Sequence, residues 1–135
     1  MNKTLIPFLA VAACLLIGAL PAVAHHGRGA TYDMKREIQL KGTVTEVLWR
    51  NPHIAIFMDV KDETGKVTKW AIEHSNITTL STQGYGRATL KAGQEVTAFV
   101  RPGAKGEPIG LCMKIVFPDG KEIFKNPRGG YGDKE

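Results

Sequence analysis

From residue 38 to residue 124, apolar and polar residues alternate in short segments that are separated by turn signals. An alternation with a period of two residues is typical of strands that bury one face. Between the third and fourth of these segments, Ser75 or Asn76 could cap a short helix that holds Ile77 and Leu80. The pattern predicts five strands and a short returning sixth, at residues 40–49, 53–60, 66–74, 95–101, 109–117 and 122–124.

The first of these strands carries a break in its apolar phase. Val44 and Val47 fall out of step, which predicts a β-bulge, and Gly42 would help the strand to bend. A long bulged first strand and a helix between strands three and four are typical of the OB fold. We therefore predict an all-β domain with one short helix, a small five- to six-stranded antiparallel OB-like barrel over residues 38–125. A split barrel or an open sandwich is the alternative. The phase of the strands predicts seven interior residues: Val44, Ile54, Ile56, Trp70, Ile72, Val96 and Ile115.

Residues 1–24 have the features of a secretory signal peptide. The segment starts with the basic Lys3, continues with an apolar run over residues 5–20, and ends on the small residues Ala22 and Ala24. Cleavage after Ala24 would leave a processed chain that begins at His25. A lipoprotein site at Cys14 is the minor alternative.

The export signal predicts a protein of the periplasm or a secreted protein, without stable membrane insertion after cleavage. Residues 25–37 lack a clear periodicity and are predicted to form an N-terminal arm, and the Gly-rich, charged residues 126–135 a flexible tail. The processed chain would retain Cys112 as its one cysteine, which excludes a disulfide within it.

Composition and motifs argue against several function classes. The chain has 135 residues, enough for one domain, and a net charge of +5 at pH 7. These charges are scattered, so a nucleic-acid partner is not expected. The sequence contains no Gly-x-Ser-x-Gly element and no phosphate-binding glycine loop. We therefore expect no enzymatic activity and no organic cofactor.

Two of the four histidines, His25 and His26, would stand at the processed N-terminus. A terminal histidine can chelate one metal ion through its free amine and its ring nitrogen, and neutral imidazoles suit copper, nickel and zinc. Copper(II) binds such nitrogen-rich sites with the highest intrinsic affinity. The pair is therefore a candidate copper site. The alternative is that the two histidines lie beside a cleavage site by chance.

The other two histidines, His53 and His74, start the second strand and end the third, so they lie at the same end of a predicted hairpin. If Lys61 pairs with Lys66, the two histidines face each other and could share a metal ion. The register that keeps the apolar residues of both strands on one face sets His53 opposite Glu73 instead. Both histidines are therefore candidate metal ligands, and the alternative is a rim histidine beside a carboxylate and a second one at the edge of the core.

Several elements resemble a family of small exported bacterial proteins known only as a domain of unknown function. They are the His25-His26 pair, the Leu-Lys-Gly-Thr-Val run that starts at Leu40, the Trp-x-Asn-Pro-His element that ends at His53, and the Lys-Ala-Gly turn near residue 92. The resemblance implies a periplasmic OB-type barrel and carries no chemistry with it. Members often continue His-His with Ser-Phe, whereas this chain has Gly27-Arg28, and Tyr32 could supply the aromatic ring that holds the arm to the barrel.

Two classes of function follow. The first is a periplasmic metal-binding protein, for copper or another divalent transition metal, with His25 and His26 as primary ligands. The second is a non-enzymatic periplasmic module, either an adaptor that binds a protein partner or a module that binds a small ligand. An accessory subunit of a redox enzyme belongs to the same class.

Overall fold

The computed structural model describes residues 28–125, so the predicted signal peptide, His25, His26 and the predicted tail at 126–135 lie outside the described residues. Among the described residues, no helix has the length and apolar character needed to cross a membrane. The elements are helix α1 (Arg28–Thr31), strand β1 (Ile38–Leu48), β2 (Ala55–Lys61), β3 (Val67–Glu73), helix α2 (Ile77–Thr82), β4 (Glu95–Pro102), β5 (Ile109–Val116) and β6 (Glu122–Ile123).

The strands form one sheet that closes on itself. Their order is β3-β2-β1-β4-β5-β6, and a further pairing of β3 with β5 closes a five-stranded barrel to which β6 is added. The predicted small OB-like barrel is confirmed. Two details differ from the prediction. The closing β3–β5 pairing is parallel, because the chain crosses the barrel through α2 and β4 before β5 returns in the direction of β3. A second short helix, α1, precedes the barrel.

The predicted bulge lies in β1. The register of β1 against β2 shifts between Val44 and Glu46, and the strand pairs with β4 over its first half and with β2 over its second half. Gly42 belongs to both pairings. A Cβ atom on Gly42 would lie 2.2 Å from the carbonyl oxygen of Asp59, so only glycine allows this approach of the two backbones.

The core fills the barrel interior. Six of the seven predicted interior residues are buried, whereas Trp70 is only half-buried at the edge of the core. Trp70 lies on the predicted face, opposite Met58, but the ladder that joins β3 to β5 begins only at Ala71. The barrel wall is therefore not closed beside Trp70. The buried tryptophan is Trp49, whose ring centroid lies 6.4 Å from that of Phe124.

Candidate functional site

A pocket opens at the end of the barrel where β2 begins and β3 ends. It has a volume of about 310 Å³. We call it the rim pocket. Its lining combines the arm, the β1–β2 turn and β3, and includes Tyr32, Arg50, Asn51, His53, Glu73 and Ile109.

The β1–β2 turn is fixed by a contact with the second helix. The Asn51 side-chain oxygen accepts a hydrogen bond of 3.1 Å from the backbone N–H of Ile77, in the first turn of α2. Asn76 caps the same helix, as its side chain accepts a hydrogen bond from the N–H of Thr79. The turn that carries His53 is therefore held against α2, and His53 enters the rim pocket just before β2 starts.

The centre of the rim pocket is a contact between His53 and Glu73. Nδ1 of His53 lies 2.9 Å from Oε1 of Glu73, and the two side chains are 40% and 32% exposed. Ala55 is the residue directly opposite Glu73 in the register. Since side chains two residues apart share a face of a strand, His53 and Glu73 meet diagonally across the hairpin.

This register corrects one detail of the sequence prediction. Lys61 pairs with Val67 rather than with Lys66, so the register that would set His53 against His74 is not adopted. The side chains of both strands point to the faces that the apolar pattern favours. The observed register is nevertheless shifted by two residues from the predicted register, which sets His53 directly opposite Glu73. The hairpin loop determines the offset, since the N–H of Asp62 donates to the carbonyl of Lys66 at 3.0 Å and Gly65 adopts a positive φ of 89°.

Tyr32 connects the arm to the same carboxylate. Its hydroxyl donates a hydrogen bond of 3.0 Å to Oε2 of Glu73, and the residue is only 5% exposed. Backbone contacts hold the arm on either side: the N–H of Asp33 donates to the carbonyl of Pro102 at 2.8 Å, and that of Ala104 donates to the carbonyl of Thr31 at 2.9 Å. The side chain of Arg101 also donates to the Met34 carbonyl. The described part of the arm is therefore docked on the barrel.

His74 has a different environment. It is 2% exposed, and its ring packs edge-on against Phe124 at a centroid distance of 5.6 Å. Nδ1 accepts a hydrogen bond of 2.7 Å from the N–H of Ser75, so the ring proton lies on Nε2, which is 2.9 Å from the Phe124 carbonyl oxygen. Nε2 thus ties the residue after β3 to the segment after β6, while Nδ1 holds the ring against the neighbouring backbone at Ser75.

The structure does not bring His53 and His74 together. Within residues 28–125, no group of three or more His, Cys, Asp or Glu side chains is arranged to hold a metal ion. Cys112 is buried, and burial raises the pKa of its thiol. A metal site at the rim pocket would therefore need ligands from outside the described residues.

Sequence reasoning did not identify Glu73 as the shared partner of His53 and Tyr32. The two contacts join elements that are far apart in the chain, as Tyr32 and Glu73 are separated by 41 positions. In the sequence, the contact of His53 with Glu73 was indicated only by the strand register that the apolar pattern favours. The aromatic position in the arm was the one signal for Tyr32.

The chain was also compared with known proteins. No curated protein sequence matches it significantly. Residues 12–113 match the model of DUF6152, a family of unknown function. The matched range contains His25 and His26, the arm, the rim pocket and the barrel as far as Met113 in β5. Since the match covers more than half of the chain, the protein belongs to this family, whose members share a sequence pattern and have no assigned function.

Proposed function

We propose that the protein is exported and is processed so that the chain begins at His25. In this proposal, His25 and His26 bind a transition-metal ion, and copper(II) is the first candidate. The observation that carries the proposal is the hydrogen bond from Tyr32 to Glu73. This bond fixes the arm at the rim pocket, beside the half-exposed His53.

The distance along the arm is short enough for this site. The single helical turn Arg28–Thr31, which precedes Tyr32, is ~6 Å long, and the two residues from His26 to Arg28 span at most ~7 Å. His26 therefore lies only six positions before Tyr32, the residue that anchors the arm to the barrel.

The chemistry of a processed His25 supports copper. Its free amine and ring nitrogen form a chelate on one metal ion, and His26 adds a second imidazole. Nitrogen donors of this kind bind copper(II) more tightly than the other common divalent metals. The donors must be unprotonated to bind, so occupancy should fall as the pH drops through the imidazole range near ~6.5.

The test is a copper(II) titration of the processed chain, in competition with a chelator of known affinity. We expect His25→Ala to remove tight binding and to leave the circular dichroism spectrum unchanged, because the substituted residue precedes the barrel. The matched control is Lys35→Ala, an exposed substitution in the same arm, which should bind like the wild-type protein. If His25→Ala also binds copper(II) like the wild-type protein, the proposed site is wrong.

The second candidate is a non-enzymatic adaptor or small-ligand-binding module, which includes an accessory subunit of a periplasmic redox enzyme. The rim pocket favours this candidate, since about 310 Å³ lies at the lower end of the range of small-molecule sites. This function takes first place if the processed chain does not bind copper(II).

A further inference from the structure

We infer that the rim pocket binds a small monocarboxylate, whose apolar body rests on the outer face of β2 and β3 and whose carboxylate is bound by Arg50 and Asn51. This inference rests on the second candidate function, the small-ligand-binding module, and names the chemical class of its ligand. The site is built entirely from residues of the described chain and is independent of the proposed copper(II) site.

The floor of the rim pocket is made of small side chains on the outer face of the sheet. Alternate residues of β2 and β3 are buried in the barrel, so Ala55 and Ala71 point outwards. Ala55 pairs with Glu73, two residues along from Ala71, so the two alanines are diagonal neighbours. On one side, Ala55 also pairs with Leu48 of β1. On the other side, Ala71 pairs with Ile109 of β5. The alanines therefore leave an apolar depression between two larger, half-buried apolar side chains.

The side-chain oxygens of the rim pocket already have donors from the protein. Glu73 is the acidic residue among those that line the pocket. Its Oε1 lies 2.9 Å from Nδ1 of His53, and its Oε2 accepts a hydrogen bond of 3.0 Å from the Tyr32 hydroxyl. The Asn51 side-chain oxygen accepts a hydrogen bond of 3.1 Å from the N–H of Ile77. These contacts leave the donors, rather than the acceptors, for recognition of a ligand.

Two side chains supply the remaining donors. Since the Asn51 oxygen faces Ile77, the two N–H groups of its amide remain without a partner among the described residues. Arg50 is exposed, and within residues 28–125 it forms no ion pair. Its guanidinium is planar and presents N–H groups in a fork that matches the two oxygens of a carboxylate. Arg50 and Asn51 therefore favour an anionic acceptor at the mouth of the rim pocket.

The size and the floor of the rim pocket restrict this anion to a small acid with an apolar body. A volume of about 310 Å³ lies at the lower end of the range for small-molecule sites. The apolar depression gains from burying carbon atoms, whereas a small, fully hydrated anion would lose water there without compensation. An apolar ring or a short branched chain that carries one carboxylate satisfies both halves of the pocket.

The experiment is a titration of the metal-free processed chain, followed by heteronuclear NMR spectra of its backbone N–H groups. Benzoate, benzamide and benzylamine share one apolar ring and are negative, neutral and positive, while acetate keeps the carboxylate without the ring. Benzoate should bind most tightly and should shift the signals of Ala55 and Ala71. The other three probes should bind more weakly by about 10-fold or more, the equivalent of one lost charge-assisted hydrogen bond or one unburied apolar group.

Two variants test the two halves of the rim pocket. Arg50→Gln should weaken benzoate binding by about 10-fold or more and leave benzamide binding unchanged. Its matched control is Arg87→Gln, the same charge change at an exposed position outside the pocket. Ala55→Leu fills the depression and should weaken the binding of benzoate and benzamide alike. Its matched control is Ala88→Leu, at an exposed position that does not line the pocket. Both controls should bind benzoate like the wild-type protein.

The outcomes separate this inference from the proposed functions. If benzamide or benzylamine binds as tightly as benzoate, or if Arg50→Gln leaves the benzoate affinity unchanged, the carboxylate class is wrong and the rim pocket remains a small-ligand site. If none of the four probes shifts the signals of the pocket residues, the inference is overturned and the second candidate function loses its small-ligand form. Copper(II) binding is measured without these probes, so none of these outcomes decides the N-terminal site.

Discussion

Among the described carboxylates, Glu122 on the short strand β6 is the one whose pKa is lowered most. Nζ of Lys114 and Nζ of Lys125 both lie 2.6 Å from its oxygens, and Lys114 also lies 4.6 Å from the centre of the Phe99 ring. The hydrogen bond from Lys114, followed by that from Lys125, lowers the pKa of Glu122 from 4.5 to about 2. This cluster ties β6 to β5 and to the segment that follows.

This depressed pKa predicts a pH dependence of stability. Since the folded-state pKa lies below the unfolded one, the stabilisation is present above about pH 4.5 and is lost as the pH falls towards 2. Glu122→Gln should therefore lose less stability than the wild-type protein over this range. Urea unfolding at a series of pH values measures the difference, and Glu46→Gln should keep the wild-type dependence. An equal loss in Glu122→Gln and the wild-type protein would show that the lysine contacts do not stabilise the fold.

The sequence allowed the environment of His53 to be predicted only in part. A register shift of one residue moves every side chain to the other face, so the apolar pattern sets which residues share the face of His53. A shift of two residues leaves the faces unchanged, and the pattern therefore cannot separate a Glu73 directly opposite His53 from one placed diagonally. The contact of Tyr32 with Glu73 depends on how the arm docks, which no periodicity contains.

At the level of elements, β1 shows why the sequence pattern was informative. The alternation of apolar residues in β1 shifts by one position within the strand, and a bulge accommodates this shift. The first half of β1 pairs with β4 and the second half with β2, and both halves bury apolar residues. The parallel pairing of β3 with β5 was not predicted, since it involves only residues 71–73 and 109–111 and leaves no pattern of its own. The half-exposure of Trp70 follows from that short ladder.

The close approach at Gly42 leads to a prediction about β1. Gly42→Ala should destabilise the fold by about 1–3 kcal/mol, the usual cost of overpacking, because a Cβ atom would lie 2.2 Å from the Asp59 carbonyl oxygen. The matched control is Gly86→Ala, where a Cβ would meet no atom within 4 Å. Urea unfolding of the two variants gives the comparison. Equal stabilities would mean that the β1–β2 pairing tolerates a side chain at this position.

At the scale of the whole molecule, a closed barrel explains how a chain without a disulfide in the described residues builds a stable core. Closure pairs the strand edges, and the interior is filled by side chains from all five barrel strands. The barrel then acts as a rigid support, on which β2, β3 and the arm meet at the rim pocket. The proposed metal site uses this support and places its primary ligands at the start of the processed chain.

The most direct test of the N-terminal site compares copper(II) binding by the processed chain with copper(II) binding by the same chain carrying one additional residue before His25. The extension keeps every side chain and the whole barrel, but it removes the free amine from His25 and with it the chelate. If the free amine of His25 is a ligand, the extension should weaken copper(II) binding nearly as much as His25→Ala does. Equal affinities of the extended and processed chains would contradict the N-terminal site.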